Sequence, residues 1–75
     1  DIDLSKFLLA PMPGMIVSIN VKEGQKIKSG ENILILEAMK MENMITADKD
    51  KIIKKINIKP GDAVEVDQKL IEFDD

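Results

Sequence analysis

Residues 32–47, at the middle of the chain, read Asn-Ile-Leu-Ile-Leu-Glu-Ala-Met-Lys-Met-Glu-Asn-Met-Ile-Thr-Ala. Segments with strand character lie on both sides of Met39 and Lys40, at Asn32–Ala38 and Met41–Ala47. Only two residues separate these segments, so the chain must reverse tightly between them. The sequence therefore predicts a β-hairpin with a two-residue loop at the middle of the chain.

The predicted hairpin breaks two local rules. Its loop would pair Ala38 with Met41 and Glu37 with Glu42. Two-residue loops prefer turns with positive φ, in which Asn and Gly are the usual residues, and this loop contains neither. The two glutamates would also form a like-charge pair across the strands, which is mildly destabilising. Two broken rules at one place indicate a functional site, and the residue at its centre is Lys40.

Strand periodicity continues upstream of the hairpin. Met15–Val21 alternates, with Val17 and Ile19 on one face and Ile16 and Ser18 on the other. A β-branched bias supports the same assignment. No segment has apolar residues at helical spacing with caps, so the sequence predicts an all-β sandwich or barrel.

The remaining segments are short strands joined by turns. Strands are expected at Lys51–Ile58 and Lys69–Phe73, whereas Lys26–Ile27 and Ala63–Val64 are expected to be links between turns. Residues 10–14, Ala-Pro-Met-Pro-Gly, predict a fixed extended corner, because proline lacks the N–H that a central strand needs.

The chain also repeats itself with a spacing of 37 residues, so that Val21–Gly24 corresponds to Ile58–Gly61. Each half contains about four short strands, a unit that rarely stands alone. We therefore expect two such units packed about a pseudo-twofold axis. Gly24 and Gly61 should occupy equivalent positive-φ turns, and Lys40 should lie near the junction of the halves.

Composition excludes several functions. The 75 residues suffice for one small domain and include neither cysteine nor histidine. The commonest general base and the thiolate ligands of zinc are therefore missing, and we expect no catalytic residue and no metal site. A net charge of -3 and 3% aromatic residues argue against nucleic acid as a partner, and no apolar run reaches membrane-spanning length. The lack of cysteine fits a reducing compartment, namely the cytoplasm, or the mitochondrial matrix in a eukaryote.

The chain begins at Asp1 rather than at methionine, so we expect a piece of a longer polypeptide or a processed product. Residues 1–7 are expected to be a linker remnant, and residues 8–75 are expected to form the domain. In a two-unit sandwich, the junction of the halves and the termini tend to fall at opposite ends. Lys40 would then lie at the point farthest from a tether through the termini.

Chemistry alone leaves two interpretations of Lys40. It is one of eleven lysines, and most lysines are simply solvated. Its amine is also a nucleophile once deprotonated, although an enzyme would have to supply the base and an activated acyl group. A methionine beside an exposed tip leaves apolar surface in water unless a partner contacts it, but chemistry alone leaves both interpretations open.

Residues 37–43, Glu-Ala-Met-Lys-Met-Glu-Asn, resemble the biotin-attachment motif of biotin-dependent carboxylases. Residues 10–14 are similar to the A/S-P-M-P-G segment that precedes the motif in that family, and the turn at Gly61-Asp62 also fits. The resemblance covers residues 8–74 and is strongest to the biotinyl (biotin carboxyl carrier) domain of acyl-CoA carboxylase α subunits, particularly the propionyl-CoA type. It implies a flattened barrel-sandwich of two four-stranded antiparallel sheets, with Lys40 on an exposed hairpin.

The same resemblance implies a carrier rather than a catalyst. A biotin protein ligase would make biotinyl-adenylate, the Lys40 amine would attack it to form an amide, and Met39 and Met41 would be recognised by the ligase. Covalent biotin on Lys40 would then carry carboxylate, as a swinging arm, from a biotin carboxylase site to a carboxyltransferase site. Two alternatives stay open: a lipoyl-type carrier, whose lysine usually follows Asp and precedes Ala, and a non-catalytic barrel-sandwich interaction module.

Overall fold

The computed structural model describes residues 4–74, which form a 3-10 turn at Leu4–Lys6 followed by strands. The strands within these residues are β1 (Phe7–Leu9), β2 (Gly14–Ile19), β3 (Lys26–Ile27), β4 (Asn32–Ala38), β5 (Met41–Thr46), β6 (Lys51–Ile56), β7 (Ala63–Val64) and β8 (Lys69–Asp74). Residues 1–3 of the expected linker remnant lie outside the described residues. Phe7 already pairs with Glu72, and the domain boundary at residue 8 stays a prediction.

The strands form two four-stranded sheets, and every pairing is antiparallel. We call them sheet A, in the order β1-β8-β6-β3, and sheet B, in the order β5-β4-β2-β7. The predicted all-β sandwich is therefore confirmed. No helix within residues 4–74 is long and apolar enough to cross a membrane.

The predicted internal repeat is a structural repeat. A shift of 37 residues carries β2 onto β6 and β3 onto β7, and it converts the strand order of sheet A into that of sheet B. Hydrogen bonds repeat as well: the N–H of Gly24 donates to the carbonyl of Ile53, and the N–H of Gly61 donates to the carbonyl of Ile16. The two glycines have φ of 87° and 94°, as the sequence predicts, so the halves are related by a pseudo-twofold axis.

Two details of the predicted strands are wrong. Lys26–Ile27 and Ala63–Val64 are not links but strands at the edges of the sheets, too short to show a periodicity of their own. The alternation in β2 is interrupted by a bulge between Ile16 and Ser18. A bulge adds one residue to a strand and so interrupts the alternation of its side chains. Ile16, expected on the same face as Ser18, therefore points into the core, where it is fully buried.

The core lies between the sheets and draws apolar side chains from both halves. Its buried members are Ala10, Ile16, Val21, Ile27, Ile33, Leu34, Leu36, Ala47, Ile53, Ile58, Val64, Leu70, Ile71 and Phe73. Among residues 4–74 no polar or charged residue is buried with them. Burial of these side chains is the main favourable contribution to folding, and it fixes the two sheets that present the hairpin.

Candidate functional site

The hairpin between β4 and β5 has the predicted register. Ala38 lies opposite Met41, Glu37 lies opposite Glu42, and the loop consists of Met39 and Lys40 alone. Both loop residues have positive φ, 54° and 65°, which is the pattern of a type I′ turn. This turn matches the right-handed twist of the flanking strands, so the backbone geometry is conventional although the residues are not.

The left-handed backbone is costly for these two side chains. A residue with a Cβ pays roughly 1–2 kcal/mol in this conformation, and only Gly, Asn and Asp adopt it readily. Among residues 4–74 the other non-glycine residue with positive φ is Asp67, at 65°. Asp67 follows Gly30 by 37 residues and lies in the equivalent turn. Glycine is replaced there by Asp, which tolerates positive φ. The hairpin loop has no such conformational reason for its residues.

The apolar side chains of the hairpin face water. Met39 is 93% exposed and Met41 is 67% exposed, while Lys40 between them is also exposed. Within residues 4–74, the Lys40 amine has no hydrogen-bond or ion-pair partner. The arrangement therefore presents a free primary amine between two thioether side chains, open on the solvent side.

Two residues outside the loop hold the hairpin in place. The side-chain amide of Asn43 donates to the carbonyl of Met41 at 3.2 Å and reaches the carbonyl of Leu36 at 3.5 Å. A Cβ placed on Gly14 would overlap the carbonyl oxygen of Glu37, so β2 can approach the hairpin only where it has a glycine. The contacts of Asn43 inside the hairpin are not predictable from the sequence, in which Asn43 is one residue of the motif at positions 37–43.

The pseudo-twofold axis relates the hairpin to the two ends of the described chain. A shift of 37 residues brings Glu37 to Asp74, in the last described strand, and brings Met44 to Phe7, in the first. The ends therefore leave from sheet A at the place where sheet B carries the hairpin. Whether Lys40 is the point farthest from the ends stays a prediction.

Within residues 4–74, the cavities that the structure shows lie away from Lys40. The structure has cavities of about 410 and 280 Å³, and neither is lined by the loop or by its flanking residues. Both lie beside sheet A or the turn after β5, with linings that include Leu8 and Ile27. A nucleophile held in the open, without a base or a pocket, suits modification by another protein.

Comparison with known proteins identifies the class. Residues 6–73 match the family model Biotin_lipoyl, described as biotin-requiring enzyme. The propionyl-CoA carboxylase alpha chain of Ruegeria pomeroyi is 44% identical over 96% of this chain, and the mitochondrial propionyl-CoA carboxylase alpha chain of Sus scrofa is 40% identical over 96%. This chain spans only 11% and 10% of those relatives.

Solved structures give the same result. A single-chain, multi-domain long-chain acyl-CoA carboxylase superposes with a TM-score of 0.85 and 28% identity, covering 89% of this chain and 7% of that one. The lipoyl domain of the 2-oxoglutarate dehydrogenase complex from Azotobacter vinelandii superposes with a TM-score of 0.75 and 25% identity, covering 84% of this chain and 80% of that domain. Biotinyl and lipoyl carriers thus share the fold.

The chain belongs to the Biotin_lipoyl family of biotin-requiring enzymes, whose fold it has over nearly its whole length. Within that family it is a biotin carboxyl carrier domain, as the resemblance of residues 37–43 implies, and its cofactor is covalent biotin. The lipoyl alternative agrees with the fold but receives less support from the two sequence relatives named above, which are propionyl-CoA carboxylase alpha chains.

Proposed function

We propose that Lys40 is the residue that carries biotin, and that the domain serves an acyl-CoA carboxylase of the propionyl-CoA type. One observation supports the attachment site above the others. Lys40 is at the tip of a two-residue, left-handed turn, with no partner among residues 4–74 and an exposed methionine on each side. The other ten lysines lack this combination of turn and flanks.

The residues of the hairpin fit an attached group. An amide at Lys40 Nζ needs an approachable amine, and no described side chain covers it. The amine attacks the carboxyl carbon of biotinyl-adenylate that a biotin protein ligase presents. The amide N–C bond forms, the bond from that carbon to the AMP oxygen breaks so that AMP leaves, and a base of the ligase takes the amine proton. Biotin, when bound, accepts carboxylate and passes it on. The chain itself supplies position and reach, and it performs no step of the carboxylation.

Met39 and Met41 are proposed to be the recognition surface for the ligase. Methionine side chains adapt their shape to apolar partners, and their exposure here is otherwise unfavourable. Their backbone conformation gives a second reason, because a loop selected for stability alone would carry Asn or Gly. Recognition by the ligase thus accounts for the residue types that the fold does not require.

The remaining partners follow from a carrier that visits two sites. We propose biotin carboxylase and carboxyltransferase domains or subunits, reached because a tether keeps the carrier at high effective concentration near both. The corresponding location is the cytoplasm, or the mitochondrial matrix in a eukaryote; the name of the Sus scrofa relative includes the word mitochondrial. The particular acyl-CoA, propionyl-CoA, is proposed from the names of the relatives.

Biotin loading tests the attachment site. The chain is incubated with biotin, ATP and a biotin protein ligase, and its intact mass is measured; a gain of one biotin is expected. Lys40→Arg keeps the charge but should abolish the gain, whereas Lys59→Arg, in an exposed turn far along the chain, should load like the unchanged protein. A lipoate ligase with lipoate should add no mass, and addition there without biotin loading would favour the lipoyl alternative. Equal loading of Lys40→Arg would contradict the proposal.

A further inference from the structure

The outward-facing side of sheet B carries exposed apolar side chains beside the hairpin. Directly opposed residues of an antiparallel pair have their side chains on the same face, and the buried Leu34 and Leu36 of β4 mark the inner one. The intervening positions and their partners across β5, β2 and β7 therefore face outward. We call this surface the methionine face; its members are Met15, Ser18, Ile35, Glu37, Glu42, Met44 and Ala63.

Sheet A provides an internal reference, because the pseudo-twofold axis relates its outer face to the methionine face. Where sheet B has Ile35 and Ala63, sheet A has Glu72 and Lys26. The exposed Met15 and Met44 correspond to Ile52 and Phe7, which are also apolar but half-buried. Glu72 also forms an ion pair with Lys54, with 3.5 Å between the charged atoms. The outer face of sheet A thus carries charges of both signs, as a surface in contact with water does.

The methionine face has apolar side chains and charge of one sign only. Met44 is 61% exposed and Met15 is 43% exposed. Glu37 and Glu42 lie opposite each other, and within residues 4–74 neither has a basic side chain at ion-pair distance. Like charges opposed across strands are destabilising. A basic partner that neutralises the two carboxylates would remove this repulsion on binding.

We propose that the methionine face is a docking surface for another domain or subunit of the same carboxylase, whose contact area is apolar and carries lysine or arginine. This inference rests on the proposed carrier function and extends it from the hairpin to the sheet. Charge decides the partner's chemistry: a basic rim would pair with Glu37 and Glu42. A second copy of this chain is unsuited, because it would bring the same two carboxylates against each other.

Topology supports the choice of a partner within the carboxylase. The first and last described strands, β1 and β8, both belong to sheet A, whereas the methionine face belongs to sheet B. The relatives are about ten times longer than this chain, which therefore has large neighbours in the same protein. The methionine face also continues into the hairpin through the opposed Glu37 and Glu42, so docking there would orient Lys40 toward the partner.

Lysine substitutions on equivalent faces test the proposal in the full-length carboxylase that contains the domain. Met15→Lys combined with Met44→Lys should leave biotin loading within about twofold, because the loop is unchanged, but should lower acyl-CoA carboxylation at least about tenfold. Ile52→Lys, at the position on sheet A that corresponds to Met15, is the matched control and should carboxylate within about twofold of the unchanged enzyme.

Each outcome has one meaning. Normal loading with normal carboxylation in the double variant would overturn the docking surface. Loss of loading would also overturn it, since the face would then belong to the ligase or to the fold. Failure of the unchanged enzyme to load at Lys40 would instead contradict the carrier proposal, which separates the two claims.

Photo-crosslinking identifies the occupant. A benzophenone amino acid at position 44 in the purified carboxylase should form a crosslink to a peptide of another domain or subunit that contains lysine or arginine. The same group at position 52 should give markedly less of that product. Crosslinks that join position 44 to the methionine face of a second copy would contradict the proposal.

Discussion

The side chains of Met39 and Lys40 leave the hairpin from a left-handed backbone, with φ of 54° and 65°. That conformation, together with the 93% exposure of Met39, means that neither local stability nor burial explains the choice of residues. Two neighbouring residues stabilise the loop. The side-chain amide of Asn43 donates to the carbonyl of Met41, and Gly14, having no Cβ, leaves room for the carbonyl of Glu37. At the scale of single residues, Met39 and Lys40 have unfavourable backbone conformations. Asn43 and Gly14 support the turn that contains them.

Replacing Met39 with Asn should separate stability from recognition. Asn adopts positive φ readily, so Met39→Asn should raise the free energy of unfolding by about 0.5–1 kcal/mol in urea denaturation. The same variant should lower the rate of biotin loading by about tenfold, because the ligase loses an apolar contact. Val66→Asn, an exposed apolar position away from the hairpin, should leave loading unchanged. A Met39→Asn domain that loads at the normal rate would remove Met39 from the recognition surface.

Gly14 should tolerate no Cβ. Gly14→Ala should lower the free energy of unfolding by about 1–3 kcal/mol, because the new methyl group collides with the carbonyl of Glu37. Backbone amide shifts in the hairpin should move with it in NMR spectra. Gly24→Ala is the comparison: a Cβ there meets no atom within 4 Å, so the variant has only the strain of φ 87° and should leave the hairpin shifts in place. Unchanged hairpin shifts in Gly14→Ala would contradict this role.

Strands and turns are the level at which the sequence was most informative. The register of β4 and β5 could be predicted because a two-residue loop allows only one pairing. The glycine turns could be predicted because Gly24 and Gly61 recur 37 residues apart. The left-handed turn at Asp67 could not, since no glycine marks it, and the bulge in β2 could not, since Val17 continues an ordinary β-branched run.

The bulge provides a prediction for a pair of elements. Ile16 in β2 and Ile53 in β6 are fully buried at equivalent bulges and accept equivalent hydrogen bonds. Ile16→Val and Ile53→Val should each lower the free energy of unfolding by about 0.5–1.5 kcal/mol, and the two values should agree within about 0.5 kcal/mol. Urea denaturation measures both. A large difference between them would mean that the two halves of the core are not energetically equivalent.

At the scale of the whole molecule, a nearly symmetric frame carries an asymmetric function. The pseudo-twofold axis makes the core and the turns alike in the two halves. Residue types that differ between equivalent positions are therefore not required by the fold. Those differences are the hairpin in place of the chain ends, and the methionine face in place of the mixed charges around Glu72. The sequence alone indicated the repeat and the lysine, but only the paired strands revealed which residues share an outer face.

Of the eleven lysines in the chain, we propose that Lys40 alone carries biotin. The most direct test is peptide mapping. The carboxylase is isolated from cells grown with biotin and digested with a protease that cleaves at acidic residues, and its peptides are analysed by tandem mass spectrometry. The prediction is biotin on Lys40 alone, with no modified lysine in any other peptide. Biotin on a different lysine, or a fully unmodified Lys40 in an enzyme that is active, would contradict the claim.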